Sequence, residues 1–241
     1  MKVTSYEGAN QHQNSLQLKR VAFYGRTLSE YLKMFDINLS LWKDCKILDC
    51  PGGASSFVAE ANKLGIHVIG CDPLFDNDLE SLVQRGKADI KYVIERVSYV
   101  PHLFKWEFYP TITALKEYRT LALQRFTEDY TNGIIQKRYI KAELPRLPFK
   151  DKSFDLVLSG HFLFLYSDKF DYSFNLDSIL ELYRVSSKEV RIFPIQGQNA
   201  QPYEHIETLL SELENKDITA DIIPVSFEFQ LGSNQMLRLI R

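Results

Sequence analysis

The chain has 241 residues, which is long enough for one large α/β domain or two small ones. Its 45% hydrophobic and 25% charged residues are typical of soluble globular proteins, and its net charge of -2 gives no reason to expect a nucleic-acid partner. No apolar run is long enough to span a bilayer, and the polar N-terminal residues lack the apolar core of a signal peptide. The sequence therefore predicts a cytoplasmic protein that does not bind membranes.

The three cysteines are an odd number and lie in or beside apolar runs, namely Cys45, Cys50 and Cys71. This pattern favours core thiols in a reducing compartment over a disulfide framework. No CxxC pair and no His/Cys cluster has metal-binding spacing, so the sequence predicts no metal site.

The first elements form the pattern of a nucleotide-binding unit. Residues 21–35 have helical spacing, with Thr27 as a plausible N-cap. A strand at about 46–50 stops at Gly52 and Gly53, a helix at about 55–64 follows, and a second strand ends on Asp72. Glycines at such a turn let the backbone approach a ligand closely, and the terminal acid is placed to accept hydrogen bonds from both hydroxyls of a ribose.

Residues 73–137 interrupt the alternation of strands and helices. Helical patterns occur at 78–85, 89–97 and 111–130, and an aromatic stretch, FKWEFYP, lies at 104–110. Neighbouring parallel strands need only a short helix between them. We therefore interpret this segment as an inserted helical cap.

The regular pattern resumes with strands at about 138–143 and 154–159, the first of which ends on Glu143. A helix at 176–183, a strand at 189–194 and a helix at 204–213 follow. Two last strands, at about 220–230 and 235–240, are joined by Gly232-Ser233-Asn234, which predicts an antiparallel hairpin. Together these elements predict one α/β domain over residues 1–241, with a doubly wound, seven-stranded, mostly parallel sheet.

Four segments carry a resemblance to class I S-adenosylmethionine-dependent methyltransferases. They are ILDCPGGAS at 47–55, GCD at 70–72, RLPFKDKSFDLVLSGHF at 146–162 and the C-terminal antiparallel pair. The chain is most similar to the small-molecule enzymes related to quinone biosynthesis, and the resemblance covers residues 40–72 and 138–241. It implies a Rossmann-like methyltransferase fold, S-adenosyl-L-methionine as the cofactor, and a small-molecule methyl acceptor.

The resemblance also implies a set of cofactor-binding residues. Asp49 would orient the loop and the methionine amino group, Asp72 would bridge the ribose hydroxyls, and Glu143 would accept from the adenine amine. Pro51 and Ser55 stand where the family usually has glycines. The full set is Asp49, Cys50, Pro51, Gly52, Gly53, Asp72, Pro73, Leu74, Glu143, Leu144, Ser159 and Gly160.

His161 follows the fourth strand, where the resemblance places the sulfonium and the incoming nucleophile. A histidine is a natural general base near neutral pH, although a histidine at a strand end also serves as a packing residue. Candidate acceptor contacts are Tyr24, Arg26, Trp106 and Phe162, and an arginine is suited to hold a carboxylate.

Two other functions stay open from the sequence. A nicotinamide-dependent oxidoreductase shares the glycine turn and the ribose acid, but it requires GxGxxG, and the loop offers Gly52, Gly53 and Ser56 instead. A non-catalytic methyltransferase-like protein that binds cofactor or a partner is the second alternative. The absence of an Asn/Asp-Pro-Pro-aromatic sequence argues against the nucleic-acid amino-methylating branch.

Overall fold

A computed structural model describes residues 15–241; residues 1–14, which the single-domain prediction includes, lie outside the described part. The described residues form a seven-stranded sheet in the order β3-β2-β1-β4-β5-β7-β6. The strands are β1 Lys46–Asp49, β2 His67–Asp72, β3 Tyr139–Lys141, β4 Phe154–Gly160, β5 Ser186–Phe193, β6 Thr219–Pro224 and β7 Gln235–Ile240.

The sheet is parallel except for β7, which lies between β5 and β6 and runs antiparallel to both. The chain order reverses between β1 and β4, which pair directly. In an open α/β sheet this reversal leaves a crevice outside the carboxyl ends of the strands. The predicted fold class, doubly wound with an antiparallel C-terminal pair, is confirmed.

Six α-helices of the described residues accompany the sheet: α1 Leu28–Met34, α2 Phe57–Lys63, α3 Leu79–Tyr99, α4 Ile112–Ile135, α5 Tyr172–Val185 and α6 Ile206–Glu214. Alternation along β1 assigns neighbouring side chains to opposite faces. Ile47 packs in the core cluster that contains Phe57 of α2 and Phe126 of α4. Leu48 packs in the cluster that contains Leu182 of α5 and Leu209 of α6.

Residues 78–99 differ from the sequence prediction, because the two expected helices are one continuous helix, α3, that runs through Gly86. A Cβ at Gly86 would lie 2.6 Å from the Leu123 side chain of α4. The glycine therefore permits close packing of α3 against α4 rather than ending the helix. We call this antiparallel pair the helical hairpin (residues 79–135).

The segment before α1 also differs from the prediction. Thr27 is the N-cap of α1 as expected, but residues 21–26 form no helix. We call residues 15–27 the N-terminal strap. Its backbone N–H groups bond to distant side chains: Phe23 to Asp89 Oδ2 at 2.7 Å, Ala22 to the Tyr166 hydroxyl at 3.1 Å, and Lys19 to the Tyr92 hydroxyl at 2.8 Å.

The tight hairpin predicted between the last two strands is wrong, although their antiparallel pairing is confirmed. β6 ends at Pro224, and residues 225–234, the β6–β7 loop, leave the sheet and reach the segment between α3 and α4. There Lys105 N donates to Phe229 O at 2.7 Å, and Leu231 N donates to Leu103 O at 2.9 Å. Phe104 and Phe229 stack with ring centroids 4.7 Å apart, which shows what holds the loop in place.

Within residues 15–241, no helix has both the length and the apolar character needed to cross a membrane.

Candidate functional site

A cavity of about 520 Å³ opens at the carboxyl ends of β1 to β4. The strand ends and the loops that follow them form its floor. The N-terminal strap, the helical hairpin and the β6–β7 loop form its other walls, which we call the lid side. Its position is the crevice that the reversal of chain order creates.

The loop after β1 forms one edge of this floor. Gly53 has φ of +52°, a left-handed conformation that residues with a side chain rarely adopt. A Cβ at Gly53 would meet no atom within 4 Å, so the backbone here faces open space. Exposed backbone at a turn between a strand and a helix lets a ligand approach closely.

Asp72 joins this loop to the end of β2. Its side chain is buried, with Oδ2 accepting from Gly53 N at 3.0 Å and Oδ1 accepting from Leu74 N at 3.0 Å. Burial raises the pKa of Asp72 to about 6, although the two N–H donors act in the opposite direction. Each carboxylate oxygen keeps a second lone pair, so the group still accepts from donors in the cavity.

Asp49 does not line the cavity, contrary to the sequence prediction of direct contact with the cofactor. Its carboxyl group is fully buried, and the Tyr31 hydroxyl donates to it at 3.1 Å from each oxygen. Burial raises the pKa of Asp49 well above its usual value. Tyr31 lines the cavity and stacks on Phe57 at 4.4 Å, so Asp49 lies behind a residue of the cavity wall.

Most of the other predicted residues do line the cavity. On the floor, the exposed carboxylate of Glu143 stands just after β3, and Gly160, His161 and Phe162 stand at the end of β4. On the lid side, Tyr24 and Arg26 come from the strap. The remaining predicted residues that line it are Cys50, Pro51, Gly52, Pro73, Leu74 and Leu144.

Two further predictions are not supported, since neither Ser159 nor Trp106 reaches the cavity. Ser159 is buried within β4 and is not among the residues that line the cavity. The Trp106 indole N–H donates to Pro101 O at 2.9 Å, and its ring packs edge-on against Phe229 at 5.4 Å. Trp106 thus packs against Phe229, a residue that does line the cavity.

His161 has an unusual backbone and an unpaired ring nitrogen. Its φ is +53°, and its N–H donates to Phe193 O at 2.6 Å. Nδ1 is buried and has no hydrogen-bond partner among residues 15–241. Burial, together with the charges of Arg26 and Arg119, lowers the pKa of His161 well below its usual value. The imidazole is therefore neutral at pH 7.

A buried ionic cluster on the lid side was not predicted from the sequence. Arg119 of α4 donates to Glu30 Oε1 at 2.6 Å, and both side chains are almost completely buried. The Tyr109 hydroxyl donates to the same carboxylate and accepts from Arg119 at 2.6 Å. Glu30 also accepts from Thr27 N at 2.8 Å, which completes the N-terminal cap of α1. These contacts join the strap to the helical hairpin.

Two sequence signals point to this cluster. Glu30 stands three residues after the capping residue Thr27, as in a capping box. Arg119 stands four residues after the buried Leu115 and seven before the buried Phe126, and therefore on the apolar face of α4. An arginine on such a face predicts a buried partner.

No protein-family model matches the chain. A similar solved structure is a SAM-dependent methyltransferase from Aquifex aeolicus (16% identity, TM-score 0.42, 88% of this chain and 93% of that chain). Another is magnesium protoporphyrin IX methyltransferase from Synechocystis PCC 6803 with bound SAM (12%, 0.40, 82% and 69%). These scores are low, so the function proposed below rests on the geometry of the site.

The chain is 34% identical over 227 residues to the uncharacterized protein MJ0045 of Methanocaldococcus jannaschii. The match covers 94% of this chain and 99% of that protein. The chain therefore belongs to the same family as MJ0045.

Proposed function

We propose that the protein transfers a methyl group from S-adenosyl-L-methionine to a small molecule. One observation carries the proposal: the glycine loop after β1, the acids after β2 and β3, and His161 after β4 line a single cavity. Binding of a nucleoside without any reaction would require only the loop and Asp72. The neutral histidine and the apolar residues of the lid side provide, in addition, a place for a reacting partner.

The floor residues fit the adenosine part of such a cofactor. The second lone pairs of the Asp72 oxygens are matched to the two adjacent hydroxyls of a ribose. Glu143 stands on the neighbouring strand end, where its carboxylate would accept from the adenine amine, and Leu74 would pack against the ring. The open backbone at Gly53 leaves room for the ribose and the methionine chain.

The donor supplies an already activated methyl group on a sulfonium, and the bond between carbon and sulfur breaks with its electron pair on sulfur. The protein must therefore align the nucleophile with the methyl carbon, a positioning effect that reaches roughly 7–11 kcal/mol at its best. His161 would accept a proton at its unpaired Nδ1 when the acceptor atom is a hydroxyl or a protonated amine. The segment 73–137 would act as the cap that excludes water and limits the acceptor to a small molecule.

Calorimetry with S-adenosylhomocysteine tests the proposal. We expect the wild-type protein to bind it, and we expect Asp72→Ala to weaken binding at least about tenfold, because a pair of charge-assisted hydrogen bonds is lost. Asp76→Ala is the matched control, since this carboxylate lies four residues away and pairs with Lys141 at the surface. No binding by the wild type, or equal binding by the two variants, would overturn the assignment.

A fluorescence titration with NADH distinguishes the oxidoreductase alternative. We expect no saturable binding, because the loop lacks the third glycine of the dinucleotide fingerprint.

A further inference from the structure

We infer that the methyl acceptor is an anion with an apolar, ring-sized body, and that Arg26 binds its anionic group. The inference rests on the proposed function and names the substrate class of the same cavity. It depends on three observations. Arg26 has no ion-pair partner among residues 15–241, the cofactor brings a net positive charge, and aromatic side chains form one wall of the cavity.

Arg26 is the cavity-lining arginine without an ion pair among residues 15–241. Arg119 is paired with Glu30, and Arg85 is paired with Asp89 at 2.7 Å. The Arg26 side chain is half-buried, no carboxylate lies within ion-pair distance of it, and its Nε is buried without a hydrogen-bond partner. Its nearest described contact is the Tyr24 ring, whose centroid lies 5.8 Å away.

A guanidinium that loses its water without gaining a counter-ion is in an unfavourable environment. Burial and the neighbouring Arg119 lower the pKa of Arg26, while the charge of Glu30 acts in the opposite direction. A ligand with an anionic group that enters the cavity would supply the counter-ion that Arg26 lacks.

The cofactor by itself does not neutralise this site. S-adenosylmethionine carries an ammonium, a sulfonium and one carboxylate at pH 7, so it brings a net positive charge. Asp72 and Glu143 are the acids among the residues that line the cavity, and both lie on the floor. Neither is close enough to form an ion pair with Arg26, which lies on the lid side. An acceptor with one anionic group would supply this counter-ion, and a guanidinium binds a carboxylate through two parallel hydrogen bonds.

The other end of the acceptor would contact an aromatic wall. Phe104, Phe227 and Phe229 line the cavity on the side of the β6–β7 loop, together with Val93, Val97 and Leu115 of the helical hairpin. This wall is continuous with His161, because the His161 ring lies 5.2 Å from Phe193, and Phe193 lies 6.0 Å from Phe227. A ring of the acceptor on this wall is therefore close to the neutral imidazole.

The test uses the protein saturated with S-adenosylhomocysteine, so that binding of this product by the wild type is established first. If the wild type does not bind it, the proposed function fails and the inference fails with it. Calorimetry then compares 4-hydroxyphenylacetate with its neutral amide, 4-hydroxyphenylacetamide. We expect the acid to bind at least about tenfold more tightly than the amide. Equal binding, or binding of neither compound to the saturated protein, would overturn the inference and leave the proposed function intact.

Variants then assign the preference to Arg26. We expect Arg26→Gln to remove the preference for the acid, Arg26→Lys to keep part of it, and Arg125→Gln to keep all of it. Arg125 is the matched control because it lies outside the cavity lining and pairs with Glu60 at 2.6 Å. We also expect Arg26→Gln to unfold at a temperature no lower than the wild type, since the variant removes an unpaired buried charge.

A second pair of ligands distinguishes between the two carboxylates that Arg26 could bind, namely that of the acceptor and that of the cofactor. 5′-Methylthioadenosine lacks the amino-acid part of S-adenosylhomocysteine. We expect Arg26→Gln to bind both nucleosides with wild-type affinity. If the variant weakens only S-adenosylhomocysteine, Arg26 binds the cofactor carboxylate and the inference is wrong.

Discussion

The floor and the lid side of the cavity are built by different kinds of contact. On the floor, the groups that bond to Asp72 are close in sequence, with Leu74 two residues and Gly53 nineteen residues away. On the lid side, Glu30 and Arg119 are separated by 89 residues, and Phe23 and Asp89 by 66. Motifs of local sequence therefore describe the part that would hold the cofactor, whereas distant pairs form the part that would select the acceptor.

The largest effect is expected where the lid side depends on one buried charge pair. Arg119→Met leaves the Glu30 carboxylate buried without its cation, so we expect a loss of about 3–5 kcal/mol in the free energy of unfolding. Urea denaturation measures this loss. The double variant Glu30→Gln/Arg119→Met removes both charges and should recover most of it. A loss below about 1 kcal/mol in the single variant would contradict the role of the pair.

A smaller loss is expected where the strap meets α3. Asp89→Ala removes the acceptor for Phe23 N and the counter-ion of Arg20 and Arg85, so we expect a loss of about 2 kcal/mol. Hydrogen exchange provides a local measurement. The amides of Ala22 and Phe23 should exchange faster, while those of α6 keep their wild-type protection. Uniform protection in the variant would show that Asp89 does not anchor the strap.

On the floor, the pH dependence of cofactor binding tests Asp72. Burial raises its pKa to about 6, and ribose hydroxyls bind the charged form, so affinity should be full above pH 6 and should fall as pH decreases through 6. We expect S-adenosylhomocysteine to bind about tenfold more weakly at pH 5 than at pH 7. Asp72→Asn carries no titrating group at this position and should show a flatter profile. A wild-type profile as flat as that of the variant would contradict the role of Asp72.

The smallest effect is expected for the hydrogen bond between Tyr31 and Asp49, which lies between the cavity floor and the core. Tyr31→Phe removes the donor to Asp49 and should cost about 1 kcal/mol in the free energy of unfolding. Phe35→Leu is the comparison variant. It replaces a fully buried ring that donates no hydrogen bond, so it changes the packing of the core and leaves the hydrogen bond to Asp49 in place. If Tyr31→Phe were as stable as the wild type, the hydroxyl would not stabilise Asp49.

What could be predicted from the sequence also differs between the floor and the lid side. The strand ends, Gly53, Asp72 and the antiparallel β7 were predictable because alternation, turn chemistry and terminal acids are local signals. The position of Asp49 behind Tyr31 was not predictable, because a strand-end acid has the same pattern whether it faces a cavity or a neighbouring ring. The excursion of residues 225–234 was missed because its partners, Phe104 and Leu103, lie more than a hundred residues earlier.

The N-terminal strap would affect how small molecules enter and leave the cavity. Leu16, Leu18 and Phe23 line the cavity, and the same stretch bonds to Gln198, Tyr92, Tyr166 and Asp89. Entry from this side would require several of these hydrogen bonds to break together. Loop movements of this kind, rather than chemical steps, set the turnover of many enzymes. The rate at which S-adenosylhomocysteine dissociates would then depend on how strongly these contacts hold the N-terminal strap in place.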